Sequence, residues 1–251
     1  MKYMGSKKMC ANQIISFINP FLKKDNWYIE PFCGGCSIIA RINGNRLGSD
    51  IDEDLICLWK AVSQGWLPPE TFTEDEYYSI KKQSSSPLKG YVAFALSFGG
   101  KKFGGWCRCS NKKRDYVKEA YNSAIKQFPK LHNVVFKNES YQNLEIFDNS
   151  VIYCDPPYIG TTVYSSSKEF NHTVFWEWVR NISKKNIVFV SEYNAPKDFT
   201  SIWNKEVVSD LSRRVVKNKK VEKLFIFNDT KEIILNILQK TKSEFTFEEY
   251  S

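Results

Sequence analysis

Residues 155–158, Asp-Pro-Pro-Tyr, place a carboxylate, two prolines and an aromatic ring directly after the apolar residues 151–154. Proline fixes φ and biases the residue before it to extended geometry, so the Asp155 carboxylate and the Pro156 carbonyl are expected to face the same space. Two such acceptors can hold both hydrogens of an exocyclic amino group and turn its nitrogen lone pair toward an electrophile. Tyr158 can stack on the attached ring. The competing interpretation is a rigid proline turn without chemistry.

A second motif, Glu-Pro-Phe-Cys-Gly-Gly-Cys-Ser at residues 30–37, ends a predicted strand and begins a predicted helix. Glycines there let the backbone come close to a ligand and present amide N–H groups to it. The motif differs from the dinucleotide pattern G-x-G-x-x-G because its glycines are adjacent and an acid precedes them, which favours a cationic or hydroxyl-bearing ligand over a pyrophosphate. The glycines between Cys33 and Cys36 favour a ligand-binding turn over a redox pair. A tight strand-to-helix turn is the alternative.

Two carboxylates, Asp50 and Asp52, follow the second predicted strand. Carboxylates in this position accept hydrogen bonds from ribose hydroxyls in dinucleotide-binding folds. One of the two is expected to act instead as the N-cap of the helix that follows. The spacing alone does not decide which carboxylate has which role.

The order of predicted elements is β-α-β, a helical insertion, and then β, β-α-β, β and β. This order predicts an α/β fold with one open, mostly parallel sheet and with ligands at the carboxyl ends of its strands. The predicted division is a main domain of residues 1–54 and 131–251, interrupted by an inserted domain of residues 55–130. Strands are predicted at residues 27–32, 46–51, 133–136, 151–154, 187–190, 206–209 and 223–227, helices at residues 7–17, 37–42, 114–128 and 173–183, and a polar surface tail at residues 241–251.

The composition excludes several classes of protein. The chain has 251 residues, of which 42% are hydrophobic and 25% charged, as is typical of globular proteins. Its longest apolar run, residues 91–96, is too short to span a membrane, and no secretory signal is recognisable. Seven cysteines without an export signal predict reduced thiols in a cytoplasmic protein. Neither the cysteine spacings nor the two histidines match a zinc or metal-hydrolase pattern, so no metal is expected.

The net charge of the chain is +8, and its basic residues are clustered. Clusters lie at residues 101–102 and 112–114, and residues 213–223 contain six basic residues and one acid. Clustered positive charge favours a polyanionic partner such as nucleic acid. Charge alone does not exclude the alternative, a lysine-rich surface that keeps the protein in solution.

Four motifs occur in a fixed order: Tyr3-Met-Gly-Ser-Lys7, residues 30–35, Ser49-Asp50-Ile51 and the unaltered D-P-P-Y. In these motifs the chain resembles the Dam-like DNA adenine-N6 methyltransferases of bacteria and phages, the alpha group of the D12 class. That family also has its recognition region between the glycine motif and D-P-P-Y. The resemblance covers most of the chain, and four ordered motifs are more specific than any one of them.

The resemblance implies a Rossmann-like methyltransferase fold and a site-specific enzyme that flips an adenine out of double-stranded DNA. The methyl group would pass from S-adenosyl-L-methionine to the adenine N6 atom without a metal, leaving S-adenosyl-L-homocysteine. The enzyme would act as a monomer or weak dimer in the cytoplasm of a bacterium or a phage-infected host, with or without a partner restriction enzyme. The catalytic residues would be Asp155, Pro156 and Tyr158, and the cofactor-binding residues would be Tyr3, Lys7, Glu30, Phe32, Gly34, Asp50 and Asp155.

The inserted region can serve as the DNA reader. Its basic side chains can neutralise phosphates, and Phe98, Phe103 or Trp106 can fill the gap left by a flipped base. A mobile glycine loop with solvated lysines is the alternative. Residues 98–106 do not match the GATC-reading hairpin of the family, so no target sequence is predicted. The predicted DNA-binding residues are Lys101, Lys102, Phe103, Trp106, Arg108, Lys112, Lys113 and Arg114.

Three other functions stay open at this point. The same chemistry could act on cytosine N4 in DNA or on an amino group of RNA or protein, because D/N-P-P-Y motifs occur with all of these substrates. A nicotinamide oxidoreductase could use the turn at Gly34 and Gly35, but D-P-P-Y would then have no role. A non-catalytic DNA-binding module with a decayed cofactor site conflicts with the intact Asp50 and D-P-P-Y.

Overall fold

The structure of the chain, a computed structural model, describes residues 1–108, 114–159, 170–208 and 219–248. The predicted phosphate contacts Lys112 and Lys113 lie outside these residues, and so do residues 213–218 of the carboxyl-terminal basic run. No helix in the described ranges is long and apolar enough to cross a membrane. Across the same ranges, no three His, Cys, Asp or Glu side chains cluster as metal ligands would.

The strands are β1 (Trp27–Glu30), β2 (Asn45–Ser49), β3 (Val135–Lys137), β4 (Val151–Cys154), β5 (Ile187–Glu192), β6 (Phe199–Val208) and β7 (Lys219–Phe227). They form a seven-stranded sheet in the order β3-β2-β1-β4-β5-β7-β6. β2 runs parallel to β3, and β4 runs parallel to both β1 and β5, whereas β7 is antiparallel to β5 and β6. The predicted α/β class with a mostly parallel, Rossmann-like sheet is confirmed.

The helices are α1 (Ala11–Ile18), α2 (Glu53–Ser63), α3 (Glu74–Lys81), α4 (Pro87–Ala95), α5 (Tyr116–Gln127), α6 (His172–Ser183) and α7 (Lys231–Glu248). Single 3₁₀ turns lie at Lys7–Met9, Asn19–Phe21, Ile39–Arg41, Phe98–Gly100, Phe128–Leu131 and Asn228–Thr230. Several helices begin where the sequence supplies a side-chain cap. Thr73 and Glu76 form a capping box at the start of α3, Ser86 caps α4, and Asp115 caps α5.

The chain folds into two compact units. The first consists of Met1–Asn12 and Phe32–Leu144, and the second of Gln13–Pro31 and Glu145–Ser251. Residues 55–130 lie within the first unit. The division of the chain into a main domain and an inserted domain at those residues stays a prediction.

Each unit has an aromatic core of its own. In the first unit the Trp59 side chain is fully buried, and its ring centroid lies 5.7 Å from that of Phe128. In the second unit the rings of Trp176 and Phe199 are both buried and 4.5 Å apart. Burial of these large rings is a main source of the stability of each unit.

The prediction of a surface tail at residues 241–251 is wrong up to Glu248, because α7 extends to that residue. Ile234 and Leu238, four positions apart in α7, are both buried and lie on one face of the helix. The Lys, Glu and Gln residues that make the segment look solvated are also good helix formers. The missed signal was the apolar run at residues 233–238, in which five of six residues are Ile or Leu.

Several other boundaries differ from the predictions: β7 begins at Lys219 instead of residue 223, and the predicted helix at residues 7–17 is a 3₁₀ turn followed by α1. β6 begins at Phe199 instead of residue 206. The prediction missed its first residues because Thr200, Ser201 and Asn204 make them more polar than a buried strand. β6 ends the strand order, and an edge strand of this kind tolerates polar residues. The predicted helix at residues 37–42 is a single 3₁₀ turn, Ile39–Arg41.

Candidate functional site

The carboxylate of Asp50 lies just after β2 and is held by two backbone N–H groups. Its Oδ2 atom accepts the N–H of Gly34 at 3.1 Å, and its Oδ1 atom accepts the N–H of Asp52 at 3.0 Å. Burial raises the pKa of Asp50 to about 6, an effect that the charge of Asp52 reinforces and the backbone hydrogen bonds oppose. Asp50 is therefore a half-buried acceptor with a fixed orientation.

The turn at Gly34 and Gly35 packs directly against Tyr3. A Cβ atom on Gly34 would lie 2.9 Å from the Tyr3 ring, and one on Gly35 would lie 2.7 Å from Tyr3 Cβ. Gly34 also has a φ of +42°, which glycine adopts without strain. The close approach of Tyr3 Cβ thus requires glycine at position 35, and the positive φ favours glycine at position 34. The Gly34 N–H, expected from the sequence to face a ligand, is donated to Asp50 instead.

Neighbouring groups fix this turn from its other sides. The Gly34 carbonyl accepts a hydrogen bond from Trp59 Nε1 at 2.9 Å, and the Gly35 carbonyl accepts one from Gln127 Nε2 at 2.8 Å. The hydroxyl oxygens of Ser6 and Ser37 are 2.6 Å apart, which joins the segment before Lys7 to the residue after the turn. We call Tyr3, Gly34, Gly35 and Asp50 the Asp50 site.

Phe32 and Lys7 are the other predicted cofactor residues of the first unit, and both are half-buried. The Phe32 ring lies 5.3 Å from the ring of Tyr141. Phe32 directly precedes the Gly34 turn along the chain, and Lys7 belongs to the 3₁₀ turn that Ser6 caps. Five of the seven predicted cofactor residues thus belong to the first unit.

Asp52 has a different role from Asp50. Its carboxylate caps α2 by accepting the N–H of Leu55 at 3.0 Å. The same carboxylate accepts hydrogen bonds from Lys102 Nζ at 2.8 and 2.9 Å. The prediction that one of the two aspartates caps the helix is confirmed, and Asp52 is that residue.

The D-P-P-Y motif follows β4 in the second unit. Asp155 is half-buried and Pro156 is buried. The Tyr158 hydroxyl donates a hydrogen bond to Glu222 of β7, and its ring meets the ring of Tyr193 edge to face at 4.6 Å. The orientation of the Tyr158 ring is therefore set from two sides.

Glu192, the last residue of β5, anchors the chain that follows the motif. Its Oε2 atom accepts the N–H of Ile159 at 3.3 Å, and its Oε1 atom accepts the N–H of Tyr193 at 2.7 Å. Only 1% of Glu192 and 5% of Glu222 is exposed, so two carboxylates are buried beside the motif. We call Asp155, Tyr158, Glu192 and Glu222 the Asp155 site.

The electrostatics of the Asp155 site are dominated by acidic groups. Burial raises the pKa of Glu192 to about 7, and the charges of Asp155 and Glu222 add to the rise. Burial and the charges of the same two residues also hold the pKa of Tyr158 well above its ordinary value. Negative charge is costly to bury in such a place, so this arrangement favours any ligand that brings positive charge.

Glu30, the remaining predicted cofactor residue, is the last residue of β1 and is 3% exposed. Its Oε1 atom accepts a hydrogen bond from the hydroxyl of Tyr28 at 2.7 Å. Burial and the charge of Asp155 raise the pKa of Cys154 strongly, and Glu30 adds a smaller effect. Glu30 and Asp155 thus belong to the second unit, unlike the other predicted cofactor residues.

The aromatic residues of the predicted DNA reader differ in their surroundings. The rings of Phe103 and Trp106 lie 5.7 and 5.6 Å from the ring of Tyr77, and both residues are half-buried. Phe98 is 66% exposed. The Tyr77 hydroxyl in turn accepts the N–H of Gly105 at 3.3 Å, so α3 supports the end of the glycine segment, residues 98–105.

The basic residues of the predicted DNA reader are also unequal. Lys101 is exposed, whereas Lys102 is ion-paired with Asp52 and Asp54. Arg108 forms an exposed ion pair with Glu74, and Arg114 forms one with Glu119. Exposed pairs of this kind are weak and can exchange one partner for another at low cost.

Sequence reasoning missed Glu192, Glu222 and the acidic partners of Lys102. Glu192 follows the apolar run 187–190 much as Asp155 follows 151–154, so the rule that found Asp155 could also have found Glu192. Glu222 is the one acid among the basic residues 213–223, which was the signal for it. No sequence signal connects Lys102 with Asp52, because fifty positions separate the two residues.

Residues 3–120 match the family model of the D12 class N6 adenine-specific DNA methyltransferases. The chain is 28% identical over 186 residues to a DNA adenine methylase of Escherichia coli K12, which covers 63% of this chain and 64% of that relative. It is 26% identical over 258 residues to a DNA adenine methylase of Haemophilus influenzae, covering 92% of this chain and 79% of the relative. The chain thus spans slightly less than two thirds of the Escherichia coli enzyme. The resemblance to the Dam-like D12 class is confirmed.

Proposed function

From its similarity to the D12 class, we propose that the chain is a site-specific DNA methyltransferase that acts on the N6 atom of adenine in double-stranded DNA. The observation that carries the proposal is the Asp155 site, in which an intact D-P-P-Y motif is fixed by Glu192 and Glu222. The adenine would leave the base stack and enter this site, as base-modifying enzymes require.

The chemistry at the adenine is assigned to three residues. The Asp155 carboxylate and the Pro156 carbonyl accept the two N6 hydrogens and turn the nitrogen lone pair out of the plane of the ring. The Tyr158 ring, held by Glu222 and Tyr193, stacks on the base. After transfer, an oxygen of Asp155 takes the proton that N6 releases. Most of the rate enhancement then comes from orientation and from negative charge beside the nitrogen that becomes positive.

The Asp50 site fits the donor that this reaction needs. When bound, S-adenosyl-L-methionine supplies a methyl group on a sulfonium, and its ribose carries two hydroxyls. Asp50 is a fixed acceptor for such hydroxyls, and its backbone donors leave lone pairs of the carboxylate available. The proposed cofactor contacts are Tyr3, Lys7, Glu30, Phe32, Gly34, Asp50 and Asp155.

Residues 55–130 are proposed to read DNA. The exposure of Phe98 favours this side chain over Phe103 and Trp106 as the one that fills the gap left by the adenine, because the latter two rings already pack on Tyr77. Phe103 and Trp106 would then support the segment. The proposed phosphate contacts are Lys101, Arg108, Lys112, Lys113 and Arg114.

Expression of the chain in a methylation-free bacterium, followed by single-molecule sequencing, tests the proposed function. We expect N6-methyladenine at one recurring sequence, together with transfer of labelled methyl from S-adenosyl-L-methionine to duplex DNA in vitro. Methylation of cytosine N4 or of RNA would assign the same chemistry to a different substrate. The absence of transfer to any nucleic acid would overturn the proposal.

A further inference from the structure

Two adjacent lysines of the glycine segment differ in their environment. Lys101 is exposed, whereas Lys102 Nζ lies 2.8 Å from Asp52 Oδ2 and 2.9 Å from Asp54 Oδ2. The side chains of Asp52 and Asp54 are only 16% and 8% exposed. A phosphate would have to compete with two largely buried carboxylates for Lys102, but not for Lys101.

The partners of Lys102 lead to the Asp50 site. Asp52 holds the first turn of α2 through the N–H of Leu55, and its own N–H is donated to Asp50. Asp50 in turn accepts the N–H of Gly34. A continuous series of short polar contacts thus runs from the glycine segment through Asp52 to the carboxylate proposed to bind the cofactor.

The glycine segment contacts the same site at a second place. Gly100 accepts a hydrogen bond from the N–H of Met4 at 3.1 Å. A Cβ atom on Gly100 would lie 2.8 Å from the backbone of Tyr3, and Tyr3 packs on Gly34 and Gly35. The segment is therefore tied to both sides of the Asp50 site.

The charge of Lys102 also has a local role. Asp50, Asp52 and Asp54 occur within five residues, and Lys102 neutralises part of this negative charge. Burial works against the charged ammonium, but the hydrogen bonds and charges of Asp52 and Asp54 prevail and raise the pKa of Lys102. Without the ammonium, Asp52 and Asp54 would repel one another and the turn that carries Asp50 would lose its support.

We propose that Lys102 is a positioning residue for cofactor binding, and that through Lys102 the binding of cofactor and the binding of DNA depend on each other. The inference rests on the proposed function, because it assigns a cofactor to the Asp50 site. It differs from the sequence-based prediction in that Lys102 acts on the cofactor through Asp52, and Lys101 is the phosphate contact of the pair. Linkage requires the coupling to be reciprocal.

The test compares Lys102→Met with Lys101→Met, a matched control one residue away. Calorimetry measures the affinity of the full chain for S-adenosyl-L-homocysteine without DNA, and a filter assay measures duplex affinity with and without that compound. Lys102→Met should weaken binding of the compound about tenfold, because the unpaired charges of Asp52 and Asp54 loosen the turn that orients Asp50. Lys101→Met should leave that affinity within about twofold and weaken DNA binding in a salt-dependent manner.

Two further variants separate positioning from a general loss of structure. Lys102→Arg keeps the positive charge and should restore most of the affinity for S-adenosyl-L-homocysteine. Asp52→Asn keeps a good helix cap. The double variant Asp52→Asn with Lys102→Met should therefore bind S-adenosyl-L-homocysteine only slightly more weakly than Asp52→Asn alone. In wild type, bound S-adenosyl-L-homocysteine should change the affinity for DNA by a measurable factor. In Lys102→Met, the affinities for DNA with and without the compound should be nearly equal.

Several outcomes would count against the inference. If Lys102→Met and Lys101→Met bind S-adenosyl-L-homocysteine as wild type does, while wild type methylates DNA, the positioning role is wrong and the proposed function stands. The inference would also be overturned if the losses of affinity caused by Asp52→Asn and Lys102→Met added in full in the double variant. If wild type binds no S-adenosyl-L-homocysteine, both the inference and the cofactor part of the proposed function fail.

Discussion

The Asp50 site and the Asp155 site both place a carboxylate just after a strand, but the neighbours of the two carboxylates differ in charge. At Asp50, backbone N–H groups hold the carboxylate, and Lys102 neutralises the neighbouring Asp52. At Asp155, the buried neighbours Glu192 and Glu222 are themselves acids, and burial, reinforced by the charges of Asp155 and Glu222, raises the pKa of Glu192. One site is compensated within the protein, whereas the other concentrates negative charge.

This difference matches the two tasks in the proposed reaction. A ribose is neutral, so its acceptor needs a fixed direction more than a strong field. The adenine N6 atom gains positive charge during methyl transfer, so acids buried beside it stabilise the transition state more than the ground state. The comparison therefore predicts that substitutions at the Asp50 site act mainly on binding and that substitutions at the Asp155 site act mainly on rate.

The largest effect is expected for Asp155→Ala. The variant should retain DNA binding and lose roughly 100- to 1,000-fold in kcat, since it removes a group that acts in the transition state. Single-turnover transfer of labelled methyl to duplex DNA measures the loss. Asp229→Ala, at an exposed aspartate of the second unit, is the control. Wild-type-like transfer by Asp155→Ala would overturn the role of Asp155.

Asp50→Asn should act on binding instead. An amide can accept only one of the two N–H groups that Asp50 accepts now, and it is a weaker acceptor for a hydroxyl, so cofactor affinity should fall roughly 10- to 100-fold. At saturating cofactor, kcat should stay close to the wild-type value. Titration calorimetry measures the cofactor affinity, and steady-state kinetics measure kcat. Asp75→Asn, at an exposed aspartate of α3, should change neither, and a loss confined to kcat would contradict the comparison.

Glu192→Gln should make the stability of the protein less dependent on pH. Because the folded pKa of Glu192 is about 7 and its ordinary value is 4.5, the native state holds an extra proton between these values, and its stability falls as the pH rises through them. The variant has no such loss, so its free energy of unfolding relative to wild type should rise by about 2 kcal/mol from pH 5 to pH 8. Urea unfolding at both pH values measures this. If the difference in free energy of unfolding between variant and wild type is the same at pH 5 and pH 8, the buried charge of Glu192 is not its cause. An equal pH-dependent change in the exposed control Glu232→Gln would lead to the same conclusion.

The smallest effects are expected where Tyr158 is held in place. Tyr158→Phe and Glu222→Ala remove the same hydrogen bond from opposite ends, and each should lower kcat about threefold to tenfold through a less ordered ring. Because the two changes remove the same interaction, the double variant should lower kcat by much less than the product of the two single effects. Independent effects in this cycle would mean that Glu222 does not position Tyr158.

The sequence predicted much of the fold and of both sites because local rules apply to them. An apolar run followed by an acid or by glycines identified β4 with Asp155 and the turn at Gly34. Helix α7 was missed although five of residues 233–238 are Ile or Leu, because a short apolar run does not by itself distinguish a helix from a strand. The pairing of Lys102 with Asp52 was out of reach, since contacts between distant positions leave no trace in one sequence.

Under the proposed function, the fit of Gly100 against Tyr3 has a consequence for how this chain could acquire a new target sequence. Gly100 has a φ of +70° and no space for a Cβ atom beside the Tyr3 backbone. A recognition segment transplanted from a relative would therefore fold here only if it kept glycine at this position or arrived together with its own amino-terminal segment. Divergence in target choice is expected to proceed through exposed neighbours such as Phe98 and Lys101, while the point of attachment stays constant.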